Sequence, residues 1–112
     1  MYAMKFTKEG FTVNAFHSSD DALEALRKGL SAQAIVFDLT MPGHDGYAFL
    51  EMMAAEKLGE GATKIALSNQ SSDAEKAKAI ELGADLFIVK ASMIPSEVVN
   101  MVRDAITHKK SA

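Results

Sequence analysis

The chain has 112 residues, of which 48% are hydrophobic and 24% are charged, and its formal net charge is −3. A chain of this size forms one domain, residues 1–112, and buries roughly two-thirds of its unfolded surface. Basic residues are scattered apart from Lys109 and Lys110, which argues against a nucleic-acid-binding protein. Cysteine is absent and no apolar stretch approaches the ~20 residues of a membrane span, so we expect a cytoplasmic protein with no membrane partner.

Helix-forming and strand-forming segments alternate along the chain, because apolar residues recur either at helical spacing or in short continuous runs. Glycine residues follow several of the helical segments, where they are typical helix stops. The predicted helices are residues 2–9, 18–28, 47–58, 72–82 and 95–106, and the predicted strands are residues 11–16, 34–37, 64–67 and 86–89. We expect residues 107–112 to form a disordered tail.

Two of the predicted helices begin with the spacing of a capping box, Ser18 with Asp21 and Ser72 with Glu75. The neighbouring carboxylates Asp20 and Asp21 also suggest a metal-binding pair. However, negative side chains are favoured in the first turn of a helix by the helix dipole. We therefore interpret Asp20 and Asp21 as helix-start residues.

Regular alternation of strands and helices predicts a mainly parallel sheet covered on both faces. The carboxyl ends of parallel strands share one edge, and Asp38, Ser68 and Lys90 each follow a predicted strand. Each residue alone has an ordinary interpretation as a turn or solvated residue. Together, a carboxylate nucleophile, a hydroxyl donor and an ammonium group at one edge indicate phosphoryl transfer to Asp38.

This set of residues resembles the receiver domain of two-component response regulators, over essentially the whole chain. The resemblance implies a flavodoxin-like α/β fold, a three-layer sandwich with a parallel sheet. The matching residues are Asp38 with the following Met41, Pro42, Gly43, Asp45 and Gly46, then Ser68 after residues 65–67, then residues 81–85, and finally residues 87–90.

The resemblance also implies roles for individual residues. Asp38 is the expected phospho-acceptor and Lys90 the active-site lysine. Ser68 and Phe87 are the expected switch residues, and the backbone carbonyl of Thr40 is expected to bind Mg²⁺ together with Asp38. A histidine kinase or phosphotransfer protein would supply the phosphoryl group, and an output partner that the sequence does not identify would respond to it. Such a domain is a regulatory module rather than an enzyme.

The N-terminal part differs from the family pattern. The family begins with an apolar strand that ends in an acidic pair for Mg²⁺, whereas this chain begins inside the helix that follows. We therefore expect a truncated chain that lacks its first strand, binds Mg²⁺ weakly and is impaired as a phospho-acceptor. In the family's strand order 2-1-3-4-5, the first strand lies between the second and the third. Its absence would therefore leave unpaired backbone groups on both of these neighbours.

Three repairs of such a gap are possible: direct closure of the two strands, a strand donated by another molecule, or self-association through the open sheet edge. We expect self-association. One alternative function is a phosphorylation-independent interaction or oligomerisation module on the same fold. Another is a flavin-binding protein of the same architecture, although no Ser/Thr/Gly-rich phosphate loop follows any predicted strand.

Overall fold

The computed structural model describes residues 2–16, 18–39, 46–59, 61–69, 72–90 and 94–111. No helix in these ranges is long and apolar enough to span a membrane. The elements, in chain order, are α1 (Tyr2–Lys8), α2 (Ser19–Arg27), β1 (Ala34–Asp38), α3 (Gly46–Ala55), β2 (Thr63–Ser68), α4 (Asp73–Glu81), β3 (Leu86–Val89) and α5 (Pro95–Ser111).

The three strands form a parallel sheet in the order β1-β2-β3, with β2 in the centre. In this register Asp38 lies opposite Leu67, and Ser68 lies opposite Val89. A helix connects each pair of neighbouring strands, as parallel pairing requires. The predicted α/β fold with a parallel sheet is therefore confirmed.

Helices cover both faces of the sheet, because alternate strand residues point to opposite sides. On one face, Phe37 packs in a cluster with residues of α2, α3 and α4. On the other face, Ile65 and Ile88 pack in a cluster with residues of α1 and α5. Burying each large aliphatic side chain contributes about 1.5–3 kcal/mol, so these two clusters hold the layers together.

Both predicted capping residues are observed. The Ser18 hydroxyl accepts a hydrogen bond from the Asp21 amide at 3.2 Å, and the Ser72 hydroxyl accepts one from the Glu75 amide at 3.2 Å. Asp20 and Asp21 lie in the first turn of α2, in agreement with their interpretation as helix-start residues. At the other end of the chain, α5 continues to Ser111, so residues 107–111 of the predicted tail are helical.

An exposed ion pair joins the end of α2 to the residue that follows α3. Arg27 donates two hydrogen bonds to the carboxylate of Glu56, at 2.7 and 2.5 Å. The hydrogen bond from Arg27 lowers the pKa of Glu56 below its ordinary value and raises the pKa of Arg27. Because both groups are exposed to solvent, the pair contributes little to the stability of the fold.

The prediction of a strand over residues 11–16 is wrong. The segment is irregular, and in the described part of the chain residues 12–16 form no backbone hydrogen bonds. Phe11 packs edge-on against Phe6, with ring centroids 5.3 Å apart, whereas Val13 and Phe16 are 37% and 42% exposed. A strand requires a neighbouring strand to pair its amides and carbonyls, and no described strand adjoins this segment.

Instead of a strand pair, a groove of about 910 Å³ lies between residues 11–16 and β1. Residues of α1, α2 and α5 complete its walls, among them Phe6, Leu26 and Val102. We refer to this space as the β1 groove. It reaches Asp38, the last residue of β1.

Candidate functional site

The carboxyl edge of the sheet brings Asp38 and Lys90 into direct contact. Asp38 ends β1 and Lys90 follows β3, so the two residues lie on opposite sides of the central strand. The Lys90 Nζ donates a hydrogen bond to the Asp38 Oδ2 at 2.5 Å. The side chains of Asp38 and Lys90 are 30% and 27% exposed. The ion pair is thus partly shielded from solvent but still open to an incoming group.

Ser68 lies at the same edge, as the last residue of β2 between the other two strands. It is 3% exposed, and its hydroxyl donates a long hydrogen bond to the Glu75 Oε1 at 3.4 Å. The structure therefore places all three predicted groups at one edge. Asp38 and Lys90 touch each other, while Ser68 contacts a carboxylate of α4.

Glu75 contacts one of the candidate site residues, and sequence reasoning missed this contact. The sequence pattern predicted only that Glu75 is the second member of a capping box. The structure agrees, because the Glu75 amide donates a hydrogen bond to the Ser72 hydroxyl. Its side chain, however, lies beside Ser68. The available signal was the short loop between β2 and α4, which leaves the first turn of α4 close to the end of β2.

Phe87 lies in β3, opposite Ala66 of β2, and is half-buried against the cluster on the α4 face of the sheet. The Phe87 ring therefore lies on the same side of the sheet as α4, which carries Glu75 in its first turn. Thr40, the expected carbonyl ligand of Mg²⁺, lies outside the described residues, as do residues 41–45.

Gly46 allows α3 to begin directly against the backbone that carries Asp38. The Gly46 amide donates to the Leu39 carbonyl at 3.0 Å, and the Leu39 amide donates to the Leu67 carbonyl at 2.9 Å. A Cβ atom at position 46 would lie 2.7 Å from the Leu39 Cα and 2.9 Å from the Asp38 carbonyl oxygen. Real Cβ atoms do not approach backbone so closely, so only glycine fits here.

The described residues fit a divalent cation poorly. In the described ranges no group of three or more His, Cys, Asp or Glu side chains is placed to hold a metal ion. At the sheet edge, one oxygen of Asp38 is already bound to an ammonium group. The chemistry that these residues supply is that of a carboxylate nucleophile with a cation and a hydroxyl donor nearby.

The model of the response regulator receiver domain family matches residues 2–103 of this chain. The chain therefore belongs to the receiver domain family of two-component response regulators. Members of this family are regulatory, phospho-accepting signalling modules. A comparison with curated proteins gave no significant match.

Solved receiver domains share the fold of this chain at low sequence identity. The receiver domain of the Francisella response regulator 1452 is 21% identical, covers 96% of this chain and 85% of its own, and has a TM-score of 0.84. A CheY-like receiver domain protein from Methanospirillum hungatei is 18% identical, with 98% and 85% covered and a TM-score of 0.85. A response regulator from Burkholderia pseudomallei, solved with a phosphorylated aspartic acid and a calcium ion, is 20% identical, with 98% and 62% covered and a TM-score of 0.79.

The close approach at Gly46 predicts a specific loss of stability. We expect Gly46→Ala to lower the free energy of unfolding by about 1–3 kcal/mol, because the added methyl group overlaps the backbone of residues 38 and 39. Gly61→Ala is the matched control, since nothing lies within 4 Å of its Cβ position. Urea denaturation followed by circular dichroism measures both variants. Equal stability of the two would contradict the tight packing at Gly46.

Proposed function

We propose that the protein is a switch of a two-component phosphorelay in which Asp38 receives a phosphoryl group from a histidine kinase or phosphotransfer protein. The observation that carries this proposal is the 2.5 Å contact between Lys90 and Asp38 at the carboxyl edge of the sheet. Ser68 lies on the strand between them and supplies a hydroxyl group at the same edge. A carboxylate beside a cation is suited to accept a phosphoryl group and to bear its charge.

In the proposed reaction, a carboxylate oxygen of Asp38 attacks the phosphorus atom of a phosphohistidine. The new O–P bond forms as the N–P bond breaks, and the donor imidazole leaves and takes a proton from solvent. Lys90 then contacts a phosphoryl oxygen and offsets part of its charge.

The proposed switch step is a change of partner by Ser68. Its 3.4 Å bond to Glu75 is long, and a phosphoryl oxygen on Asp38 is a stronger acceptor. When Ser68 turns to that oxygen, we expect Phe87 on the adjacent strand to move as well. The surface near residues 84–94 would change, and an output partner would bind to one form of it.

If the protein is phosphorylated, we expect Asp38 to carry the group. Incubation with acetyl phosphate, borohydride trapping of the acyl phosphate and peptide mapping by mass spectrometry identify the site. Asp38→Asn should abolish labelling, whereas Asp20→Asn, which changes an exposed carboxylate of α2, should leave it unchanged. Labelling of Asp20 or Asp45 in the unmodified chain would contradict the assignment.

Receiver domains typically bind Mg²⁺ at the phosphorylation site. We propose that this chain binds it weakly and therefore accepts phosphate slowly, because Mg²⁺ requires near-octahedral oxygen coordination and the described edge offers few oxygen ligands. In an NMR titration, the amide shifts of Asp38 and Leu39 should saturate only above about 1 mM Mg²⁺, a weak affinity. Saturation at micromolar concentrations would show that ligands outside Asp38 complete the site.

A second candidate function is a phosphorylation-independent interaction or oligomerisation module. The β1 groove supports this second function, because this space of about 910 Å³ lies along β1 and leaves that edge of the sheet open. Open edges of β-sheets pair readily with other chains. We propose that two copies of the isolated chain associate through this edge.

Sedimentation velocity at micromolar concentration tests the proposed self-association. We expect a concentration-dependent mixture of monomers and dimers for the unmodified chain. Asp38→Asn is the control variant, and it should sediment in the same way because the proposed association does not involve phosphoryl transfer. A single monomeric species at all concentrations would contradict the proposal.

A further inference from the structure

We infer, on the basis of the proposed function, that Glu75 is a positioning residue that restrains Ser68 in the unphosphorylated form and thereby slows phosphoryl transfer to Asp38. Glu75 lies in the first turn of α4, outside the three groups at the sheet edge. Its carboxylate accepts a hydrogen bond from the Ser68 hydroxyl at 3.4 Å. The rate at which the switch is phosphorylated is therefore controlled from α4.

The Ser68 hydroxyl has one hydrogen to donate, so it serves one acceptor well at a time. In the structure, Glu75 accepts this hydrogen bond. Ser68 is only 3% exposed, so water reaches the hydroxyl poorly and a partner within the protein is required. The Glu75 carboxylate and a phosphoryl oxygen on Asp38 are therefore competing acceptors of the same hydrogen.

The contact between Ser68 and Glu75 is long, but it is strengthened by the negative charge of its acceptor. Hydrogen bonds to ionised groups are stronger than those between neutral groups. The contact is also partly buried, and a hydrogen bond shielded from water is weakened less than an exposed one. Ser68 must give up this bond before it can donate to a phosphoryl group, so breaking the bond adds to the barrier for transfer.

Several contacts hold α4, and the backbone of Glu75 with it, in place. The Ser72 hydroxyl accepts a hydrogen bond from the Glu75 amide at 3.2 Å. Further along the helix, Ala79 is completely buried in the core cluster on this face of the sheet. The Lys78 ammonium lies 4.4 Å from the centroid of the Tyr47 ring in α3. A packed helix rather than a free loop therefore presents the carboxylate to the sheet edge.

Glu75 also has an ordinary role as the second member of the capping box at the start of α4. Either glutamate or glutamine occupies this position of a capping box. Glu75→Gln therefore keeps the capping role and removes the charge that strengthens the contact with Ser68. Asp73→Asn is the matched control, because Asp73 is an exposed carboxylate in the same turn of the same helix.

The test compares the initial rates at which acetyl phosphate labels Asp38 in the full chain, measured by borohydride trapping and mass spectrometry. We expect Glu75→Gln to be labelled roughly three- to tenfold faster than the unmodified chain, because Ser68 gives up a weaker bond. Asp73→Asn should be labelled at the unmodified rate. Glu75→Asp keeps the charge but is one methylene shorter, so it should lose the contact and also be labelled faster.

A double substitution tests whether Glu75 acts through Ser68. In a Ser68→Ala background there is no hydroxyl for Glu75 to hold, so adding Glu75→Gln should change the labelling rate by less than about twofold. Carbon-13 NMR gives an independent measurement on the unphosphorylated chain. Ser68→Ala should shift the side-chain carboxyl resonance of Glu75 and leave that of Asp73 unchanged. A role confined to helix capping predicts neither result.

Four results would overturn the inference. The first is equal labelling of Glu75→Gln and the unmodified chain, and the second is an equal effect of Glu75→Gln with and without the Ser68 hydroxyl. The third is unmodified, slow labelling of Glu75→Asp, which would assign the effect to charge alone. The fourth is a Glu75 carboxyl resonance that Ser68→Ala does not shift. In each case Asp38 can still be labelled and the proposed function stands, whereas no labelling of any variant would contradict the proposed function and the inference together.

Discussion

Parallel pairing of β2 with a strand on each side is the constraint on which the site depends. It brings Asp38 and Lys90, which are 52 positions apart in the chain, into contact at one edge. Ile65 and Ala66 in the middle of β2 are completely buried. A one-residue slip of this strand would exchange the side chains on its two faces and place the bulky Ile65 where the small Ala66 packs, so the packing on the two faces fixes the register and with it the positions of the three groups.

Both donors at this edge already have carboxylate partners. Lys90 contacts Asp38, and Ser68 contacts Glu75. In the proposed switch, a phosphoryl group on Asp38 competes for both donors at once, so its arrival is coupled to the position of β3 and of the first turn of α4. In the proposed switch, the contact between Ser68 and Glu75 is therefore a feature of the unphosphorylated form. Gly46 supports the arrangement from the opposite side by allowing α3 to contact the backbone at Asp38.

The strand that carries Asp38 is paired on one side. β1 forms its ladder with β2, and its other side borders the β1 groove. A strand with one paired edge is held less firmly than a central strand, because half of its backbone groups lie outside the ladder. Filling the β1 groove would therefore also fix the backbone of Asp38.

Local patterns in the sequence were sufficient to predict the helix starts and the strands of the sheet, and to predict that Asp38, Ser68 and Lys90 lie at one edge of it. Ser18 and Ser72 cap their helices as predicted, because a capping box depends on residues three apart. Apolar runs that end at Asp38, Ser68 and Lys90 predicted the parallel sheet, because strands buried on both faces are recognisable from their continuous apolar composition.

Tertiary structure decided the features that depend on distant partners. Residues 11–16 have the composition of a strand, but no described strand pairs with them, and residues 12–16 form no backbone hydrogen bonds within the part of the chain that the structure describes. The contact of Glu75 with Ser68 depends on how α4 packs over β2, and the need for glycine at position 46 depends on how α3 approaches β1. A sequence specifies which segments can be buried or paired, whereas hydrogen-bond partners and close approaches exist only after the elements have packed.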